Sequence, residues 1–127
     1  MENATLIVLL ALLQYVWFMV RVGAARGKLN VNAPDCEGDE TWMRIHRVHQ
    51  NTLEQLIILI PAIYAFAYYT SSTWVLLPGV AFIIGRFLYS AEYIKDPKSR
   101  TPGMATTLAA NVTLIIGGLI GLLMGMF

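Results

Sequence analysis

The sequence predicts an all-α fold, an integral membrane bundle of four helices forming one domain over residues 1–127. Three observations predict it. Of the 127 residues, 57% are hydrophobic and 13% charged, with a mean hydropathy of +0.59, whereas soluble domains carry about 25% charge. The apolar residues fall into four long blocks, and a helix needs about 20 of them to cross a ~30 Å hydrocarbon core. All nine Lys and Arg residues lie in, or in the helix halves beside, two of the three connections. A net charge of +1 without a basic run excludes a nucleic-acid binder, and a single cysteine, Cys36, excludes a disulfide scaffold.

The first span covers residues 5–22, interrupted by Gln14 and closed by Arg21. No positive residue precedes it, so a retained helix is expected rather than a cleaved signal. Residues 23–40 follow as a polar segment whose Asn30, Asn32, Pro34, Asp35, Gly38 and Asp39 are loop chemistry. The second span, residues 41–69, has Asp39 or Thr41 as candidate cap and an amphipathic first half carrying Arg44, His46, Arg47, His49, Gln50, Asn51, Glu54 and Gln55. At ~1.5 Å per residue it is about 43 Å long, enough to cross the core and project beyond it. An uncharged turn at 70–73 leads to the third span, residues 74–94, with Arg86, Tyr89, Ser90, Glu92 and Tyr93 in its second half. A polar connector at 95–103 precedes the fourth span, residues 104–127, which has no charged residue. Its Gly117, Gly121 and Gly125 recur every four residues, a spacing that lets helices approach closely.

Four spans place both termini on one side of the membrane. By the positive-inside rule the Lys/Arg-bearing side, with the candidate site, is cytoplasmic and the termini face the opposite side.

At ~100° per residue, Arg44, Arg47, Asn51 and Glu54 share one stripe of the second helix. A solvated helix end accounts equally well for Arg44 and Arg47, and an Arg47–Glu54 network could be purely structural. Glu54 points further, because a carboxylate on a helix about to become fully apolar must face protein or water, and intramembrane charges mark functional sites by default. Arg86, Tyr89, Ser90 and Tyr93 form a matching stripe on the third helix. Tyr93 and Tyr89 also suit an interfacial belt; Arg86 lies too deep to snorkel fully. With Arg26, Lys28, Lys98 and Arg100 from the adjoining loops, the stripes would make a pocket that attracts carboxylate or phosphate, while Glu54 could hold an amine. A small zwitterion with an extra carboxylate is the natural guest. His46 and His49 lack a third ligand, so no metal site is expected, and Cys36 sits in an acidic loop that disfavours a thiolate.

The run RIHRVHQNTLE at 44–54 resembles the second-helix signature of the membrane-associated proteins in eicosanoid and glutathione metabolism, the MAPEG family. The run RFLYSAEY at 86–93 followed by Arg100, and Ala25-Arg26 near the end of the first helix, are similar to that family as well. Gly27 stands where some members have a second arginine, Gln55 where several have tyrosine, and Pro61 comes about a turn late. The resemblance implies a homotrimer that binds glutathione as cosubstrate between subunits near the cytosolic side. It implies that Arg47, Asn51 and Glu54 hold the tripeptide with Arg26, Arg86, Tyr89 and Tyr93, that Arg100 stabilises the thiolate, and that a hydrophobic electrophile or lipid hydroperoxide arrives through the bilayer. The expected function is a membrane glutathione transferase or peroxidase serving detoxification. The alternatives are a small four-helix transporter using Glu54 and a non-catalytic lipid-binding member of the same fold.

Overall fold

A computed structural model describes residues 1–32, 38–96 and 101–126 of the chain. These residues form four helices: α1 (Glu2–Leu29), α2 (Glu40–Tyr69), α3 (Leu76–Lys95) and α4 (Thr101–Met126). Helix α1 runs about two turns further than the polar segment beginning at Gly23 suggested. Neither Gly23 nor Gly27 breaks it; the stop is Asn30, in the left-handed region at φ 56°, whose N–H closes on the Arg26 carbonyl, as small polar residues do at helix ends. Helix α2 starts at the expected cap, Asp39, whose Oδ1 accepts from the N–H groups of Thr41 (2.8 Å) and Trp42 (3.1 Å). Helix α4 begins three residues ahead of Met104, at Thr101.

Helix α1 packs on α2 and α3, α4 packs on the same pair, and α2 touches α3. The turn end is tied by Asn3 Nδ2 donating to the Ser72 carbonyl (2.8 Å) and Thr70 Oγ1 to the Gly117 carbonyl (2.6 Å). At the opposite, loop end, Arg44 Nη1 donates to the carbonyls of Ile94 (3.2 Å) and Lys95 (3.4 Å), groups that the end of α3 leaves without a helical partner.

Toward the turn end the interior is apolar: Ile7 and Ala11 of α1 meet Leu59, Ile63 and Phe66 of α2, Phe82 of α3 and Leu114 of α4. The glycine positions of α4 let it lie close to α2. A side chain at Gly117 would strike the Phe66 ring, one at Gly118 would press on the Phe66 backbone, and one at Gly121 would strike Thr70 and the Tyr69 backbone, whereas Gly125 meets nothing within 4 Å. Near the loop end, Gly103 presses α4 against the backbone of Tyr89.

The outer surface is the reverse of a soluble protein's. Leu13, Trp17, Ile57, Leu77, Ile120 and Met124 are exposed along the helices, and α1, α2 and α4 are long and apolar enough to cross a membrane. Helix α3, with 20 residues, is shorter and carries Arg86, Glu92 and Lys95; at ~1.5 Å per residue it still measures about 30 Å.

Candidate functional site

Toward the loop end the interior changes character, and the change centres on Arg86. Its side chain is almost fully enclosed, 1% exposed. Nη1 donates to Asn51 Oδ1 (2.6 Å) and to Thr52 Oγ1 (3.4 Å), Nε donates to Thr107 Oγ1 (3.1 Å), and the guanidinium carbon lies 4.5 Å from the centre of the Tyr89 ring. The two threonines are fixed in turn: Thr52 Oγ1 donates to the Val48 carbonyl (2.7 Å), and Thr107 Oγ1 to the Gly103 carbonyl (3.0 Å). Each hydroxyl thus spends its proton on its own helix and keeps a lone pair for Arg86. A turn deeper, Asn111 Nδ2 donates to Gln55 Oε1 (2.9 Å). A polar layer therefore crosses from α2 to α3 and α4 inside an otherwise apolar bundle. Gly85 makes room for it, since a side chain there would meet Thr107.

Of the residues singled out from sequence, Asn51, Arg86 and Tyr89 come together directly, and Tyr93 stacks on Tyr89 at 5.4 Å between ring centres, 12° from parallel. Arg47 and Glu54 are exposed on the outer face of α2 and, among the described residues, make no ion pair or hydrogen bond. Arg44, on the same stripe, is taken up by Glu40 (2.6 Å) and by the end of α3. Arg26 lies over the ring of Trp42 at 4.5 Å and reaches the Asn32 carbonyl. Trp42, buried between α1 and α2 with Nε1 donating to the Val22 carbonyl, precedes Asn51 by nine residues, about 180° around the helix at ~100° per residue. Within one chain, Arg26 and the Arg47–Asn51–Glu54 face are thus on opposite sides of α2. Cys36, Lys98 and Arg100 lie outside the described residues.

Sequence reasoning missed Thr52, Thr107 and Asn111 as members of the polar layer. The legible signal for the last two was their spacing: two polar residues four apart on a helix without charge share a face, and lipid would not accommodate them there. Arg21 reads in the sequence only as the end of a span, but its Nη1 donates to Ser90 Oγ (2.7 Å) and joins α1 to α3. His46 stacks on Trp42 and His49 on Tyr15. Among the described residues no three His, Cys, Asp or Glu side chains gather as metal ligands would.

Chemically, the outer face of α2 offers a cation, an amide and an anion along about two turns, and the Arg86 that holds the amide lies over the ring of Tyr89. That face suits a zwitterionic ligand held at its polar groups. Known proteins resemble this chain along most of its length. The MAPEG family matches residues 4–120. An uncharacterized protein of Synechocystis is 35% identical over 118 residues, 93% of this chain and 86% of its own length. Microsomal glutathione S-transferase 2 of Bos taurus is 29% identical over 124 residues (95% of this chain, 85% of the relative), and its Homo sapiens counterpart is 29% identical over 114 (90% and 78%).

Proposed function

The chain belongs to the MAPEG family, and from that premise we propose that it is a membrane-bound glutathione transferase, with peroxide reduction as a second outcome of the same thiolate. The observation that carries the reading is Glu54. An exposed carboxylate on a membrane helix, followed by the exposed apolar Ile57 and Ile58, costs about 2.5–3.5 kcal/mol against lipid on insertion scales, a cost removed when a second subunit and a polar ligand cover it.

In this reading the protein is a homotrimer and the site lies between subunits. Arg47, Asn51 and Glu54 of one protomer hold the tripeptide's carboxylate, carbonyl and amine groups. Tyr89 and Tyr93 flank it, and Arg26 arrives from a neighbouring protomer, which suits its place on the far side of α2 within its own chain. Arg86 stands behind Asn51. The site faces the cytoplasm and the termini lie on the opposite side, in line with the gathering of all nine Lys and Arg residues toward the loop end.

Glutathione supplies the sulfur nucleophile. The part of Arg100 is to set its guanidinium beside the thiol, favouring the thiolate over the neutral form and so raising the nucleophilic fraction at neutral pH. With a hydrophobic electrophile entering from the bilayer, a carbon–sulfur bond forms and the leaving group departs with its electron pair; the thiol proton has already passed to water. With a lipid hydroperoxide, the thiolate attacks the terminal peroxide oxygen, the O–O bond breaks and the alkoxide leaves, taking up a proton to become the alcohol; the resulting glutathione sulfenic acid condenses with a second glutathione, giving the disulfide and water. The transporter reading has less support, because Glu54 lies on the outside of the four-helix unit rather than in its interior.

The test is conjugation of an aromatic halide by the purified protein with glutathione, comparing Arg100→Ala and Glu54→Ala. Conjugation is expected from the unaltered protein and loss of it from both variants. An intact, folded assembly that neither binds nor uses glutathione overturns the reading and leaves the lipid-binding alternative.

A further inference from the structure

The partners of Asn51 determine more than its location. A carboxamide carries one acceptor oxygen and one donor nitrogen, and either can face inward. Its inward neighbour here is Arg86 Nη1, at 2.6 Å, and a guanidinium can only donate. The oxygen of Asn51 must therefore face the interior, which leaves Nδ2 for the outer face shared with the exposed Arg47 and Glu54. Arg86 is itself held by Thr107 on α4 and Thr52 on α2, and Gly85 beside it admits α4 closely. Among the described residues its hydrogen-bond partners are all neutral oxygens, so its charge faces the interior without a carboxylate in contact.

We infer that Arg86 is a positioning residue: it locks the Asn51 amide with its donor outward and thereby restricts this point of the site to a hydrogen-bond acceptor of the ligand. The inference rests on the glutathione reading above and adds a polarity to it. At Asn51 the tripeptide must present a carbonyl or carboxylate oxygen, and an amine or amide N–H placed there is rejected. Buried, donor-only and three-point fixed, Arg86 does this without touching the ligand.

The test uses the purified full-length protein in detergent, with glutathione kinetics and thermal unfolding of Asn51→Asp, Asn51→Ala, Arg86→Lys, Arg86→Met and the double variant Asn51→Ala/Arg86→Met. The carboxylate introduced by Asn51→Asp would still accept from Arg86 but offers no donor, so this variant is expected to unfold near the parent temperature while its glutathione KM rises about tenfold. Arg86→Met is expected to raise KM by a similar factor with a much smaller fall in kcat, and to add less than about twofold on top of Asn51→Ala, because both remove the same oriented donor. Arg86→Lys keeps the charge but not the Nε–Nη1 fork that reaches Thr107 and Asn51 together, so it is expected to raise KM by less than the Met variant does. If the Met variant does not fold, the Asn51→Asp result decides. A parent that uses glutathione while Asn51→Asp does so equally well, or multiplicative effects in the double variant, overturns this inference alone. A parent that does not bind glutathione overturns the functional reading and this inference with it.

Discussion

The two ends of the bundle are built on opposite principles. At the turn end the interior is Ile7, Leu59, Ile63, Phe66 and Leu114, and cohesion comes from close contact, with α4 laid against Phe66 and Tyr69 at glycine positions. Lipid tails are as apolar as these side chains, so fit rather than exclusion of water holds the helices together there. Toward the loop end, among apolar side chains such as Phe18, Trp42 and Val48, the interior takes in Arg86, Thr52 and Thr107, which with Asn51 are joined by directed hydrogen bonds. A cation placed there cannot be repacked like a leucine; its partners must stay where they are, and that rigidity is what a binding site requires. One end supplies stability by shape, the other precision by chemistry.

Substitutions at either end separate stability from binding. Phe66→Ala removes a ring that packs against Gly117, and a loss of about 3–5 kcal/mol in unfolding free energy is expected, with conjugation per folded molecule retained; reversible unfolding in detergent measures it. Arg100→Ala should do the opposite, lowering turnover by about 10²–10³-fold, the scale of losing one charge-stabilising donor, with unfolding unchanged. It should also move the acidic limb of the rate–pH profile upward, because the thiol then titrates nearer its ordinary range. Thr107→Val tests the boundary between the two regimes. It deletes an acceptor of a buried cation, so a loss of about 1–3 kcal/mol is expected, accompanied by weaker glutathione binding if the Arg86 network is continuous. Gly125→Ala marks the lower limit: nothing lies within 4 Å of the added carbon, and a change under about 0.5 kcal/mol is expected in the same unfolding measurement.

The sequence already disclosed the four helices, because apolar blocks of spanning length and polar connections are one-dimensional properties. Boundaries were less legible. Gly23 and Gly27 are loop formers by composition, yet α1 continues through both to Asn30, since the tertiary contact of Ala25 and Val22 with Trp42 outweighs a weak local preference. The stripe on α2 was readable as a stripe, but not which of its members face inward. Arg44, Arg47 and Asn51 share a periodicity, while only the neighbours separate a strut to α3 from an exposed cation and an amide fixed by Arg86. The weak signal of Thr107 and Asn111 was masked by the absence of charge from α4. Sequence spacing also groups Arg26 with the α2 residues by chemistry, and only the packing of Arg26 on Trp42 reveals that one chain holds them on opposite sides of a helix.

Under the proposed function the loop end, and not the apolar half, holds glutathione through the outer face of α2. Calorimetric titration of glutathione into the purified assembly, with Glu54→Ala in parallel, tests it most directly. Saturable binding to the parent is expected, with affinity weaker by about tenfold or more for the variant, about 1.4 kcal/mol per decade, at an unchanged unfolding temperature. Equal affinities for parent and variant, or no binding to a folded assembly, would contradict it.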